Sequence, residues 1–173
     1  AALTAIVGKQ RVLTGDAVAA VEFPWDTHTD CTARAIVEPE TTEEVAAIMR
    51  CCNDAGQTVV PFGGMTNLVQ GCATTPADIV LSLKRLNRIE DVDSSAGVLM
   101  AQAGATLQQA QNAATAEDLF FPVDIGARGN CQLGGLVASN AGGNKVIRYG
   151  MTRDTVLGLE AVLPDGTVIS SLN

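Results

Sequence analysis

Apolar positions fall in short clusters divided by polar turns, and the period of each cluster predicts its element. Arg34-Ala35-Ile36-Val37 reads as a short strand stopped by Pro39. Thr41-Thr42-Glu43-Glu44 follows as a capping box, Thr41 facing the amide of Glu44 and Glu44 reaching back. Val45, Ile48, Met49, Cys52 and Ala55 then recur at helical spacing, and Gly56 ends the helix as its C′ residue. Thr58-Val59-Val60 is β-branched and short, so these segments form a strand-helix-strand unit, which implies parallel strands and a right-handed crossover.

Ile79-Val80-Leu81-Ser82-Leu83 predicts a further strand, Lys84 to Asp93 a polar link, and Val98-Leu99-Met100-Ala101 another strand. Thr106 caps a helix with Leu107, Ala110 and Ala114 on its inner stripe. Residues 157–163 and 167–170 flank Pro164-Asp165-Gly166, the turn of a hairpin. The expected fold class is α+β with two small lobes. An N-terminal segment, 1–33, lies on the core; the first lobe, 34–90, holds a small, mostly parallel sheet with helices. The second, 91–173, holds a mixed or antiparallel sheet with helices. There is no internal repeat. The stop at Ser171-Leu172-Asn173, soon after a strand, reads as a fragment whose second lobe is incomplete.

At 173 residues the chain has enough length for one cored domain or two small lobes. Although 47% of it is hydrophobic, no apolar run approaches the roughly 18 residues needed to span a bilayer, so no membrane insertion is expected. Ala1 to Gly8 is short and lacks the basic region of a signal peptide. The net charge of −8 argues against nucleic acid and anionic membranes as partners. Cys31, Cys51, Cys52, Cys72 and Cys131 show neither C-x-x-C nor metal spacing, which fits free thiols in a reducing, cytoplasmic setting. No metal site is expected. His28, the only histidine, sits beside Trp25 in the N-terminal segment and is expected to be structural rather than a catalytic base.

Two glycine-rich stretches carry the candidate chemistry. The first is Pro61-Phe62-Gly63-Gly64-Met65-Thr66-Asn67-Leu68; the second is Gly126-Ala127-Arg128-Gly129-Asn130-Cys131-Gln132-Leu133-Gly134-Gly135, running on to Asn140-Ala141-Gly142-Gly143. Backbone without Cβ atoms brings its N–H groups against a phosphate, and two such loops can clasp a long diphosphate. Between residues 101 and 150 the only basic side chains are Arg128, Lys145 and Arg148, so amides must carry most of the anion recognition. Thr66 and Asn140 supply a hydroxyl and an amide for phosphate or ring edges. Neither stretch is a G-x-G-x-x-G fingerprint. In Gly142-Gly143-Asn144-Lys145, Asn144 separates glycine from lysine and Val146 replaces the hydroxyl of a P-loop. A single Gly-Gly is most often a turn, but two long loops of this composition point to a nucleotide cofactor.

In order along the chain stand Pro61-x-Gly63-Gly64-x-Thr66-x-Leu68, Pro122-x-Asp124-x-Gly126, Cys131-x-x-Gly134-Gly135, Ala138-x-Asn140-Ala141-Gly142-Gly143, Arg148-Tyr149-Gly150 and the run from Val156 to Gly166. This set resembles the PCMH-type FAD-binding domain of the vanillyl-alcohol-oxidase superfamily, in the branch of D-2-hydroxyglutarate, D-lactate and glycolate dehydrogenases, over about residues 24 to 173. The resemblance implies a noncovalent FAD between two α+β lobes, its diphosphate on the first loop and its isoalloxazine end near the second. The residues it implies for the cofactor are Pro61, Gly63, Gly64, Met65, Thr66, Asn67 and Leu68, then Pro122, Asp124, Gly126, Ala127, Gly129, Asn130, Cys131, Gly134, Gly135, Ser139, Asn140, Ala141 and Gly142. Some relatives attach the flavin through a histidine after the paired glycines; Met65 stands there instead.

Such enzymes oxidise a D-2-hydroxy acid to its 2-oxo acid by hydride transfer to flavin. The catalytic residues and any metal ligands of such enzymes belong to a C-terminal cap, so none is expected within this chain. A small-molecule substrate is implied, and a homo-oligomer or an electron-acceptor partner is compatible with the reading. Two alternatives stay open: a flavoenzyme of the same fold with other chemistry, such as an aromatic-alcohol oxidase, ether-lipid synthase or cell-wall precursor reductase, and a nucleotide-binding module without chemistry of its own.

Overall fold

A computed structural model describes residues 1–24 and 30–172; Trp25, His28 and Asn173 lie outside the described residues. The chain divides into two units, Ala1–Arg85 with Gly158–Asn173, and Leu86–Leu157. In the first, α1 (Ala2–Val7), β1 (Val12–Leu13) and α2 (Asp16–Ala19) precede β2 (Ala35–Val37), α3 (Thr42–Asp54), β3 (Val59–Phe62) and β4 (Ile79–Ser82). The four strands form a sheet in the order β1-β2-β4-β3. β1 runs antiparallel to β2, while β2, β4 and β3 are mutually parallel, with Ile36 and Val60 both opposite Val80.

β2 and β3 flank β4 instead of pairing with one another. All residues of β2 and β4 are buried, as expected of inner parallel strands covered on both faces. Pro61 lacks a ladder donor and suits β3 to the edge. The N-terminal segment adds an edge strand and buries Val7, Val18 and Phe23.

α3 starts where expected, the Thr41 side chain accepting from the Glu44 amide at 3.2 Å. The Glu44 carboxylate, however, accepts from the amide of Glu40 at 2.8 Å and takes a bidentate pair of 2.6 Å hydrogen bonds from Arg11. Gly56 closes the helix at φ 61°, and Gln57 donates to the carbonyl of Cys52, completing a Schellman motif. Val45, Ala46, Ile48 and Cys52 form its buried face, while Ala55 is exposed. At the C-terminal ends of β2 and β4 the Glu38 carboxylate, 2% exposed, is held by Lys84 and by Arg85 at 2.8 Å. Burial opposes its charge, but hydrogen bonds from Lys84 and Arg85 prevail and hold its pKa below the ordinary value.

The second unit opens with an antiparallel pair, β5 (Ile89–Asp93) and β6 (Val98–Ala101), irregular in register between Ile89 and Asp91. The polar link expected over residues 84–93 therefore contains a strand. Glu90, Asp91 and Asp93 lie exposed and mask its apolar period. α4 (Leu107–Ala116) has the expected cap, Thr106 and Gln109 exchanging bonds, and buries Leu107, Ala110 and Ala114. α5 (Leu133–Ala138) and α6 (Val146–Tyr149) follow. The unit's core joins Leu107 to Val123, Cys131 and Leu136, with Ile125, Leu133 and Ala141 packed against it.

The chain then returns to the first unit as a hairpin, β7 (Glu160–Val162) and β8 (Val168–Ser170). This corrects the expectation that placed residues 158–172 in the second lobe, and the division falls at Arg85 rather than near 90. The reason lies in the turn. A Cβ on Gly166, which has φ 79°, would strike Arg50 Cγ and lie 2.5 Å from the carbonyl oxygen of Ala46. Only glycine lets the turn sit so close to α3. Arg50 donates to the Gly166 carbonyl at 3.0 Å, and Thr42 to Glu160 at 2.7 Å.

Candidate functional site

The first glycine stretch leaves the C-terminal end of β3, where ligands of open parallel sheets bind. Pro61 is exposed on the edge, whereas the buried Phe62 ring meets Phe23 edge-on at 5.7 Å between centroids. Gly63, Gly64, Met65 and Thr66 are half-buried, and their amides have no acceptor among the described residues. Met65 holds φ 51°, with its side chain packed on the first unit's core. This position therefore presents backbone outward. Asn67 bonds within the loop, and Leu68 stands 85% exposed.

The second stretch folds back on itself. Segment 122–125 lies against Gly143 and Asn144, whose amide donates to the Asp124 carbonyl at 2.9 Å. The approach is so close that a Cβ on Gly143 would collide with that carbonyl oxygen. Pro122 is half-buried beside it. Asp124 Oδ1 is buried without a hydrogen-bond partner among the described residues, Arg128 Nη2 lying 3.4 Å away.

The glycines separate into two kinds. A Cβ at Gly126, Gly129 or Gly135 would meet no heavy atom within 4 Å, so their surfaces are open to a ligand. At Gly134 it would come within 2.9 Å of Ala103 Cβ, and at Gly142 within 3.1 Å of the Met151 sulfur. Those two absences of side chain serve packing. Ala127 packs on the core, and Asn130 is exposed. Cys131 is 4% exposed, and burial pushes its thiol pKa up, so it acts as a small core residue rather than a nucleophile.

Beyond α5, the Ser139 hydroxyl donates to the Gly135 carbonyl at 2.7 Å. Asn140, at φ 47°, accepts from the Arg153 amide through Oδ1 at 3.0 Å, and the Ala141 carbonyl takes both the amide and the hydroxyl of Thr152. Lys145 lies 4.3 Å from the Phe120 ring centre and Arg148 5.1 Å from that of Tyr149, so both cations stack on aromatic faces. Gln132, absent from the expected site, is 8% exposed with Oε1 unpartnered among the described residues. Its position inside the glycine stretch was the available signal. A cavity of about 490 Å³ in the first unit is lined, among the described residues, by Gly15, Val18, Ala19 and residues 30–33, and by no residue of either stretch. It is not read as the cofactor site.

In the first unit, amides without an acceptor among the described residues fit phosphate oxygens; in the second, open glycine backbone and the buried oxygens of Asp124 and Gln132 fit the N–H groups of a ligand. The FAD binding domain family matches residues 33–171. This chain belongs to that family. FAD is thus its cofactor. The mitochondrial D-2-hydroxyglutarate dehydrogenase of Danio rerio is 42% identical over 137 residues, covering 79% of this chain and 26% of the relative. The D-2-hydroxyglutarate–pyruvate transhydrogenase of Saccharomyces cerevisiae is 43% identical over 138 residues, covering 80% and 28%. Among solved structures, alkyldihydroxyacetonephosphate synthase superposes with a TM-score of 0.84 at 18% identity, covering 98% of this chain and 33% of that one. The α+β fold is that of PCMH-type FAD-binding domains.

The chain spans about a quarter of the length of the curated relatives it matches. The cytoplasmic expectation is overturned, because three relatives that are each 42% identical, from Schizosaccharomyces pombe, Danio rerio and Bos taurus, are named mitochondrial. Free thiols indicate a reducing environment and do not distinguish one reducing compartment from another. No helix among the described residues is long and apolar enough to cross a membrane.

Proposed function

We propose that this chain is the FAD-binding part of an oxidoreductase that converts a D-2-hydroxy acid, of the D-2-hydroxyglutarate, D-lactate or glycolate class, to its 2-oxo acid. The observation that carries the reading is the coincidence of amides without acceptors among the described residues and open glycines within the segment, 33–171, that the FAD binding domain family matches. Bound FAD supplies the two-electron acceptor for such an oxidation. The chain's own residues bind and orient it. The amides of Gly63 to Thr66 would hold diphosphate oxygens, residues 61–72 containing no lysine or arginine to do so. In the second unit, the open backbone at Gly126, Gly129 and Gly135 would admit close approach of a ligand, with Asp124 and Gln132 as hydrogen-bond acceptors for its N–H or O–H groups. The substrate cap, catalytic base and electron acceptor belong to other parts of the protein or to a partner.

Purified full-length protein supplemented with FAD is expected to keep visible flavin absorbance through gel filtration, bleached anaerobically by one of D-2-hydroxyglutarate, D-lactate and glycolate. Retained flavin that none of the three reduces would refute the substrate class. Absence of retained flavin would refute the cofactor assignment itself.

A further inference from the structure

We infer that Asn67 is a positioning residue that holds the first glycine stretch in the shape in which its amides meet the cofactor, an inference that rests on the FAD reading above. The loop runs from the buried Phe62 at the end of β3 to the buried Cys72. Between them its tip has no apolar anchorage, Leu68 being 85% and Val69 83% exposed. The Asn67 side chain provides the closure instead. Oδ1 accepts from the Val69 amide at 3.2 Å and the Gly71 amide at 2.9 Å, while Nδ2 donates to Cys72 Sγ at 3.2 Å. One side chain thus ties the exposed tip to a residue of the core.

Such a tie is needed because the loop is strained on both sides of it. Met65 at φ 51° and Gln70 at φ 55° occupy the left-handed region without being glycine, and that conformation persists only where the surroundings over-determine it. Upstream, the Met65 side chain packs on the core cluster that also contains Cys72. Downstream, Asn67 fastens the loop to Cys72 itself. The amides of Gly63 to Thr66 are thereby held between two anchors, and their order is already established before a ligand binds. Asn67 accordingly serves the site through the loop's backbone. Its side-chain amide has both ends occupied within the loop, which leaves the neighbouring amides to touch phosphate.

The test compares the wild-type chain with Asn67→Ala and Asn67→Asp in two assays: FAD titration followed by flavin fluorescence, and limited chymotrypsin digestion without cofactor, scoring cleavage after Leu68. Asn67→Ala is expected to weaken FAD binding about tenfold and to speed cleavage by a similar factor, the scale of a few lost hydrogen bonds. Asn67→Asp keeps the oxygen that accepts from Val69 and Gly71 but loses the donor to Cys72, and is expected to be cleaved at a rate between those of the wild type and Asn67→Ala. Wild-type behaviour of Asn67→Ala in both assays would overturn the inference, as would equal sensitivity of the two variants to cleavage. If the wild-type chain takes up no FAD, the cofactor reading fails, while the cleavage comparison still decides the role of Asn67.

Discussion

Gly143 and Gly135 are both glycines of the second stretch, yet alanine is expected to act on them in opposite ways. At Gly143 the new methyl group would fall on the Asp124 carbonyl oxygen, a backbone atom that cannot rotate away. Segment 122–125 must then separate from Gly143 and Asn144, at a cost of about 1–3 kcal/mol for overpacking. The 2.9 Å bond from the Asn144 amide to Asp124 would be lost with it, adding about 0.5–1.5 kcal/mol. At roughly 2–4 °C per kcal/mol for a chain of this size, the cofactor-free melting temperature falls by about 3–18 °C. At Gly135 the methyl group meets nothing within 4 Å, and the residue lies in α5, where alanine gains up to about 1 kcal/mol in helix propensity. Gly135→Ala should therefore melt at or above the wild-type temperature, yet bind FAD about tenfold or more weakly where the cofactor occupies that open surface. Circular-dichroism melts without cofactor and FAD titrations on both variants give the four numbers. An unchanged melt for Gly143→Ala, or an unchanged affinity for Gly135→Ala, would refute the division of glycines into packing and ligand-facing kinds.

Leu107, fully buried in the second unit's core, should cost about 2–5 kcal/mol on replacement by alanine, read from urea unfolding. Acid should destabilise the first unit through Glu38 and Glu44. The pKa of each lies below the ordinary value of 4.5 in the folded chain: Glu38 because hydrogen bonds from Lys84 and Arg85 overcome burial, Glu44 chiefly through its hydrogen bonds from Arg11. Folding is thus favoured by their ionisation at pH above the unfolded value, and that contribution is lost as pH falls through the lower folded values. A pH series of melts should show a decline below about pH 4.5 that Arg11→Ala makes shallower. Thiol labelling at neutral pH should reach the half-buried Cys51 well before Cys52, Cys72 and Cys131, whose thiols burial pushes up. Labelling of Cys131 in the folded chain at the rate of Cys51 would contradict its place in the core.

Local chemistry made much of the architecture legible. Thr106 and the stripe of Leu107, Ala110 and Ala114 predicted α4 because a capping hydroxyl and a helical apolar period act within one or two turns. Pro164-Asp165-Gly166 predicted the hairpin turn for the same reason. β5 escaped notice because its charged residues face solvent and interrupt the apolar alternation that marks a strand. The capping box at Thr41 was half right. Glu44 answers to Arg11, 33 residues away, and no local pattern announces such a partner.

The amino-acid sequence by itself determined the elements, the two glycine stretches, the family they imply and the reliance on backbone amides, since each depends on residue type and short spacing. Tertiary structure decided what those glycines are for. Gly134 and Gly143 are set by the closeness of Ala103 and Asp124, Gly126 and Gly135 by empty space, and a sequence shows the missing side chain without showing what would have collided with it. It decided also that the terminal hairpin rests on α3, that β4 occupies the centre of its sheet, and that Asn67 turns inward to its own loop. These are choices among long-range contacts, settled when the whole chain competes for buried surface and hydrogen-bond partners.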